Sequence, residues 1–355
     1  MVTDDYKYSV CIKCMTFNHA HCIQDALNGF SCQMTGFPYV AVIVDDASTD
    51  GNQNVILDFF KKHFDTQEDG ISWSKEDDIA RYYYARHKEN RNCFYSILLL
   101  KRNLFRNPLK RRLIKEWEDA SKFIALCEGD DYWTDSLKLQ KQVDILENHP
   151  DVTLCCTACQ IQADDSLETQ HRYDRDCIVP TEDIIIGGGL WLHTVTILHR
   201  SYLLEDYPDY CRSCHVGDYP LLLWASLNGS VYYLLENTAV YRYQNTGSWT
   251  LRRESLGIDP LIQGWESEVK MLQGLDDYSG GKYSATFKTR IRTYLYDAVV
   301  NHPQNVRQIV SEFREEVKLF TLRQKVHVLC IQMHIEPVYS FLWNRWLSKK
   351  RRSHC

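Results

Sequence analysis

The run Tyr39-Val-Ala-Val-Ile-Val-Asp45 is apolar until it ends on the paired carboxylates Asp45 and Asp46. A strand with no polar face must be covered on both sides, which puts it inside a sheet flanked by helices. Tyr8–Cys14, Phe94–Leu100 and Phe123–Cys127 read as further short strands. Between them, Ile23, Ala26, Leu27 and Phe30 recur at helical spacing and predict a helix over 21–30. Ile56, Phe59, Phe60 and His63 predict a second over 54–64. A third carries Leu139, Val143 and Leu146 and starts after Thr134 or Asp135, both suitable N-caps. Alternating strands and helices predict an α/β fold with a mostly parallel sheet. In such sheets ligands bind beyond the carboxyl ends of the strands. The polar stretch 65–92 reads as an inserted surface excursion. After about residue 255, Tyr294, Ala298 and Val299, then Phe313, Val317 and Phe320, recur at helical spacing. The expected division is therefore 1–254 for the α/β domain and 255–355 for a C-terminal helical region.

The 355-residue chain is 44% hydrophobic and 25% charged, as globular proteins are, and its net charge of -6 argues against bulk nucleic-acid binding. No run is long and apolar enough for a membrane span, and Met1-Val2-Thr3-Asp4-Asp5 carries no apolar leader core. The expected location is the cytoplasm, where the 14 cysteines would be reduced. Cys11/Cys14, Cys156/Cys159 and Cys211/Cys214 have metal-ligand spacing. The first two pairs lie in strand-like runs, where residues three apart point to opposite faces. Only the third lies in a loop, and small buried thiols are the preferred reading.

Two acidic clusters stand where the strand-end rule places a site. One is Asp45-Asp46-Ala-Ser-Thr-Asp50-Gly51. The other is Glu128-Gly129-Asp130-Asp131-Tyr132-Trp133, after the Phe123–Cys127 strand. Each alone could be a solvated turn. Carboxylates this dense repel one another unless a cation sits among them, and a hard divalent ion bound with substrate phosphates meets that need. Gly129 would let the backbone approach a ligand closely.

Several segments together resemble bacterial family 2 glycosyltransferases over residues 7–250. They are Ser9-Val-Cys-Ile-Lys13 with Phe17-Asn18-His19, Val44–Gly51, Ala125–Asp135 with Lys138–Gln142, Gly217-Asp-Tyr-Pro-Leu221, Val240-Tyr-Arg-Tyr243 and Gly247-Ser-Trp249. The resemblance implies a GT-A fold, Rossmann-like, and inverting transfer from a nucleotide-diphosphate sugar, UDP-linked by family habit. It implies Asp218 as catalytic base and Asp130, with Glu128, as ligands of Mn²⁺ or Mg²⁺. Thr16, Asp45, Asp46, Arg102, Glu128, Tyr241 and Arg242 would surround the donor, Asp46 reading the base. Trp133, Trp191, His193 and Trp249 would line the acceptor cleft. Inversion needs one base and a stabilised leaving group, and Asp218 in its apolar setting suits that demand. Asp218 could equally cap the helix that follows it.

Three departures stand out. Glu128 replaces the usual first Asp of the metal motif, Lys13 stands where relatives often carry proline, and Gln244 stands near a common histidine. Lys101, Arg102, Arg106, Lys110, Arg111, Arg112 and Lys115 form a basic stretch. It could neutralise a diphosphate or be a solvated helix face, with Arg102 the leading contact. Gly187-Gly-Gly-Leu-Trp-Leu-His193 lacks the Gly-Lys-Ser/Thr of a phosphate loop and reads as a flexible cleft edge or a structural loop. The tail Phe341–Arg352 joins aromatics to a basic cluster, as a peripheral membrane anchor does; packing on the protein is the alternative. The sequence thus predicts transfer of a sugar to a glycan or lipid-linked acceptor in surface polysaccharide synthesis. The competing readings are a sugar nucleotidyltransferase and a non-catalytic glycan- or partner-binding relative.

Overall fold

The computed structural model describes residues 6–105, 107–163, 166–243 and 256–335. The chain forms two compact units, Met1–Arg212 with Val216–Ser255, and Ser213–His215 with Leu256–Cys355. In the first unit the strands are β1 (Tyr8–Thr16), β2 (Tyr39–Asp45), β3 (Phe64–Asp65), β4 (Trp73–Glu76), β5 (Ala80–His87), β6 (Cys93–Leu100), β7 (Ser121–Leu126), β8 (Tyr132–Trp133), β9 (Val152–Ala163), β10 (Ser166–Gln170), β11 (Cys177–Ile178), β12 (Leu198–Arg200) and β13 (Ser230–Arg242). The helices are α1 (Ile23–Ser31), α2 (Asn52–His63), α3 (Pro108–Asp119), α4 (Lys138–Asn148), α5 (Thr181–Gly187), α6 (Asp209–Arg212) and α7 (Asp218–Leu227).

Among the described residues the strands form one sheet in the order β11-β13-β9-β12-β7-β1-β2-β6-β5-β3. Its centre, β7-β1-β2-β6, is parallel. Strand β2 sends Tyr39, Ala41 and Ile43 into one apolar layer with α1, α2 and α4, and Val40, Val42 and Val44 into the other with Ile114 and Trp117 of α3. The unbroken apolar run thus has the covering on both faces that it requires. Cys14 belongs to the first layer and Cys11 to the second, so one ion could not reach both thiols.

Two expectations need correction. Residues 80–87 are not an excursion: β5 pairs antiparallel with β6 and buries Ala80, Tyr82, Tyr84 and Ala85. Arg81, Arg86 and His87 make the segment look polar on average, although Ala80, Tyr82 and Tyr84 enter one apolar layer and Ala85 the other. Helix α4 starts at Lys138 without a side-chain cap. Asp135 instead turns the chain ahead of it, accepting from the Leu137 N–H at 2.8 Å and pairing with Lys141 at 2.8 Å.

The second unit is helical, as the spacing predicts: α8 (Ile258–Tyr278), α9 (Ser284–Asn301), α10 (Val306–Glu312), α11 (Arg314–Val317) and α12 (Leu322–Gln332). Leu272, Leu275, Phe287, Leu295, Val299 and Ile309 form its core. Glu268 is buried there beside Arg290 at 3.1 Å and His215 at 3.7 Å.

Candidate active site

The carboxyl ends of β1, β2 and β7 meet at one edge of the sheet. Thr16 pairs with Asp45 in register, and the Asp46 N–H donates to the Thr16 carbonyl at 2.9 Å. On the other side of β1 the Gly129 N–H donates to the Met15 carbonyl at 2.9 Å. Both acidic clusters therefore flank Thr16. A Cβ on Gly129 would lie 2.5 Å from Thr16 Oγ1 and 2.9 Å from Ile23 Cδ1, so its lack of a side chain serves protein packing here.

The first cluster is occupied by the protein itself. Asp45 is fully buried and accepts from the Ser48 N–H (3.0 Å), Gln53 Nε2 (2.7 Å) and Asn52 Nδ2 (2.8 Å). Asp46 is buried and accepts from the Leu104 N–H at 2.6 Å and from Lys110 Nζ at 2.9 Å. The loops after β1 and β2 are cross-braced. The Asn18 N–H donates to Ser48 Oγ and the Thr49 N–H to Asn18 Oδ1, each at 2.8 Å. Asn18 (φ 60°) and Ala47 (φ 61°) hold left-handed backbone there. Such strain persists only where the surroundings over-determine it.

The second cluster is crowded. Burial, then the charges of Asp130 and Asp218, raise the Glu128 carboxyl to about 7, opposed by Lys110. Glu128 nonetheless has an exposed surface. Water therefore still screens part of that charge. Asp131 is raised well above the carboxylate range by burial and by Asp130, opposed by its bond from the Arg242 N–H at 2.8 Å. Asp130 is buried, with Oδ2 3.8 Å from His19 Nε2. Arg242 also donates to the Asp130 carbonyl at 2.8 Å, lies 4.4 Å over the Tyr132 ring and pairs with Asp25. It clamps the acidic loop from outside.

Asp218 is the first residue of α7 rather than its cap, which is Gly217. Its Oδ1 accepts from the Tyr219 N–H at 2.7 Å, and its Oδ2 from Thr194 Oγ at 3.3 Å. Its charge is felt at Glu128 and at the Tyr241 hydroxyl, which burial and four carboxylates push above the tyrosine range. The glycine loop borders it: a Cβ on Gly189 would stand 3.6 Å from Asp218 Oδ1. Thus Glu128, Asp130, Asp131, Asp218 and Tyr241 share one electrostatic neighbourhood, in which Lys110 acts on Glu128 and Arg242 on Asp131 as cations.

Other assignments move. Trp133 is a core residue, 3% exposed, edge-on to Phe30 and donating Nε1 to the Val195 carbonyl at 3.0 Å. It cannot stack on a sugar. His193 is buried under Tyr241, ring centroids 4.5 Å apart, with Nε2 2.9 Å from Gln170 Oε1. Burial and Arg172 lower it to about 4, so it stays neutral and supports Tyr241 rather than an acceptor. Trp191 packs its ring against Arg172 at 4.8 Å. Arg102 is exposed, and Lys110 is the basic residue that reaches the site. Lys13, at the position read as a departure, pairs with Glu118 at 2.8 Å. Gln244, Trp249, Arg106 and the 341–352 tail lie outside the described residues. Thr194 and Lys110 went unassigned individually because their partners, Asp218 and Asp46, are remote in sequence. Lys110 was visible only as one of a run of bases.

No protein-family model matches the chain. The uncharacterized proteins Rv1520 of Mycobacterium tuberculosis and Mb1547 of Mycobacterium bovis are each 28% identical over 247 residues, 66% of this chain. Each match spans 59% of the relative's length, so the chain corresponds to part of those proteins. Among solved structures, S. aureus TarS superposes with a TM-score of 0.59 at 13% identity, covering 93% of this chain and 54% of TarS. Residues 1–349 of TarS in complex with UDP-GlcNAc give 0.52 at 14% identity, covering 96% of this chain and 92% of that one. The chain has the fold of TarS. It is an α/β fold with a mixed central sheet, parallel at its middle, and C-terminal helices. Among the described residues no helix is long and apolar enough to cross a membrane, and no three His, Cys, Asp or Glu side chains are grouped to hold a metal ion.

Proposed function

We propose that this chain is an inverting glycosyltransferase of the GT-A type that uses a nucleotide-diphosphate sugar, with UDP the leading nucleotide. The observation that carries the reading is Asp218 standing in the neighbourhood of Glu128 and the strand-end carboxylates, on a fold that TarS shares in complex with UDP-GlcNAc. Residues 1–254 would be the catalytic domain, and the acceptor would be a hydroxyl of a glycan or lipid-linked saccharide in surface polysaccharide synthesis.

In this scheme Asp218 takes the proton of the acceptor hydroxyl while that oxygen bonds to the anomeric carbon. The bond from that carbon to the diphosphate breaks, and its electron pair leaves with the diphosphate. The Tyr219 N–H and the Thr194 hydroxyl hold the Asp218 carboxylate in place. One base suffices, because inversion needs no carboxylate nucleophile.

The donor set suits a hard cation that arrives with phosphate. The Glu128 carboxylate is disfavoured by burial and by the Asp130 charge beside it, which a divalent ion would relieve, and Mg²⁺-type sites commonly use one or two carboxylates plus phosphate oxygens. Asp130 and Glu128 would hold Mn²⁺ or Mg²⁺, which when bound neutralises charge on the leaving diphosphate. Lys110 would add a fixed positive charge beside it. Asp46, already bonded to Leu104 and Lys110, is assigned to holding the loop beside the nucleotide rather than to direct base contact.

The test is a panel of UDP-, GDP- and dTDP-sugars scored for metal-dependent binding and slow donor hydrolysis, followed by Asp218→Asn and Asp130→Ala. Asp218→Asn should lower turnover by about 10²–10⁴-fold with donor affinity unchanged. Asp130→Ala should weaken metal-dependent donor binding. Full activity in Asp218→Asn would sink the base assignment, and no binding of any nucleotide sugar would sink the transferase.

A further inference from the structure

Helix α12 is apolar on two opposite sides. Val328 and Ile331 are buried against α9 and α10, and His327 meets the Tyr296 hydroxyl at 2.6 Å. On the far side Leu322 is 80% exposed, Val326 44%, Leu329 54% and Met333 59%. At 3.6 residues per turn these four side chains fall within about 60° of one another. Their stripe is nearly opposite the buried one. A helix with a single partner needs one apolar stripe, so the second stripe calls for another partner.

The charges beside the stripe say which. Arg323 and Lys325 lie one on each flank, Lys325 with its ammonium 3.0 Å from the Lys318 carbonyl just ahead of the helix, whereas Lys318 itself is paired with Glu315. From 322 to 335 the sequence has two Lys or Arg and no Asp or Glu, in a chain whose net charge is -6. Long basic side chains on either edge of an apolar stripe can lay their stems along it and extend their heads to anionic groups. A neutral protein groove would match the stripe alone. A surface that is apolar within and anionic at its rim matches stripe and flanks together, and that is a bilayer with anionic headgroups. The helix is well secured for such a role. A capping box joins Thr321 and Gln324 at its start, and at its end the Ile335 N–H donates to the Cys330 carbonyl at 2.9 Å.

We propose that the exposed face of α12 docks on an anionic lipid surface, inserting Leu322, Val326, Leu329 and Met333 between headgroups paired with Arg323 and Lys325. This does not depend on the reading of the active site. The full chain is co-sedimented with phosphatidylcholine vesicles, with and without phosphatidylglycerol. It should bind the anionic vesicles and not the neutral ones. Arg323→Gln with Lys325→Gln should lower the partition coefficient roughly 25-fold, about fivefold per charge. Val326→Glu with Leu329→Glu should lower it at least about tenfold. These sites are exposed, so melting should be unchanged; Met333→Gln serves as a milder variant if the double one unfolds. No binding to anionic vesicles would overturn the proposal. So would equal binding by the variants, which would credit the basic 341–352 tail alone. A lipid-free dimer that Val326→Glu with Leu329→Glu dissociates, with vesicle binding intact, would assign the stripe to a second copy and also overturn it.

Discussion

Replacing Gly129 by alanine tests how closely the strand ends pack. The added Cβ would stand 2.5 Å from Thr16 Oγ1, 2.6 Å from Thr16 Cβ and 2.9 Å from Ile23 Cδ1. Comfortable contact is about 3.5–4.0 Å, so Thr16 must give way by about 1 Å. It is poorly free to do so. Thr16 is buried at the end of β1, and its hydroxyl accepts from Asn52 Nδ2 at 3.0 Å and meets His19 Nδ1 at 3.3 Å. Overpacking costs about 1–3 kcal/mol, and losing the Thr16–Asn52 bond about 1 more. The sum is about 2–4 kcal/mol, which for a unit this size lowers the melting temperature by roughly 5–15 °C. Thermal and urea denaturation of Gly129→Ala would measure it. Thr16→Gly in the same chain removes the Cβ and Oγ that clash, so the pair should show a favourable coupling of about 1–2 kcal/mol. If Gly129→Ala melted within about 1 °C of the parent, the two strand-end loops would not approach as described. The glycine would then have to be explained by a ligand, as the sequence first implies.

Glu128 is raised from the usual 4.5 to about 7, so the folded protein keeps its proton where the unfolded chain loses it. Its contribution to stability is full below about 4.5 and is lost as pH rises to about 7. Without divalent cation, Glu128→Gln should melt higher than the parent at neutral pH, and the gap should close on acidification. A gap independent of pH would refute the shift. Lys110→Met strips the buried Asp46 carboxylate of its cation, the two side chains being 20% and 7% exposed in the pair. It should cost about 2–3 kcal/mol in denaturant titration, and adding Asp46→Asn should recover at least half. Ala47→Gly relieves a left-handed backbone at φ 61° and should raise the urea midpoint, by up to about 1 kcal/mol of stability. A lowered midpoint would mean the loop is not held as described.

Much of the architecture was legible locally. Tyr39–Asp45 announces a strand buried on both faces because every residue before Asp45 is apolar, and Ile23, Ala26, Leu27 and Phe30 announce the helix that covers it. The strand-end rule by itself brings Asp45, Asp46 and Glu128–Asp131 to one edge of the sheet. What misled was polarity averaged over a segment. In 80–87 the charges of Arg81 and Arg86 hid a sheet strand whose Ala80, Tyr82, Tyr84 and Ala85 are buried.

The roles within the site were less legible, since a side chain's role depends on its partner. Asp46 and Lys110 are 64 residues apart, Arg242 and Asp131 111, and Asp218 and Thr194 24. No local period records such pairings. Trp133 reads as a sugar platform beside an acidic motif until Phe30 and Val195 close around it. His193 reads the same way until Tyr241 and Gln170 do.

The sequence by itself determined the α/β order, the edge of the sheet that carries the acids, and the helical C-terminal region. Those follow from periodicity and from which faces must be buried. Tertiary structure alone decided which acids are already bonded and which stay crowded. Asp45 and Asp46 find donors at 2.6–3.0 Å on neighbouring loops and on helices α2 and α3, whereas Glu128 is left to feel the charges of Asp130 and Asp218. That distinction depends on distances between segments far apart along the chain.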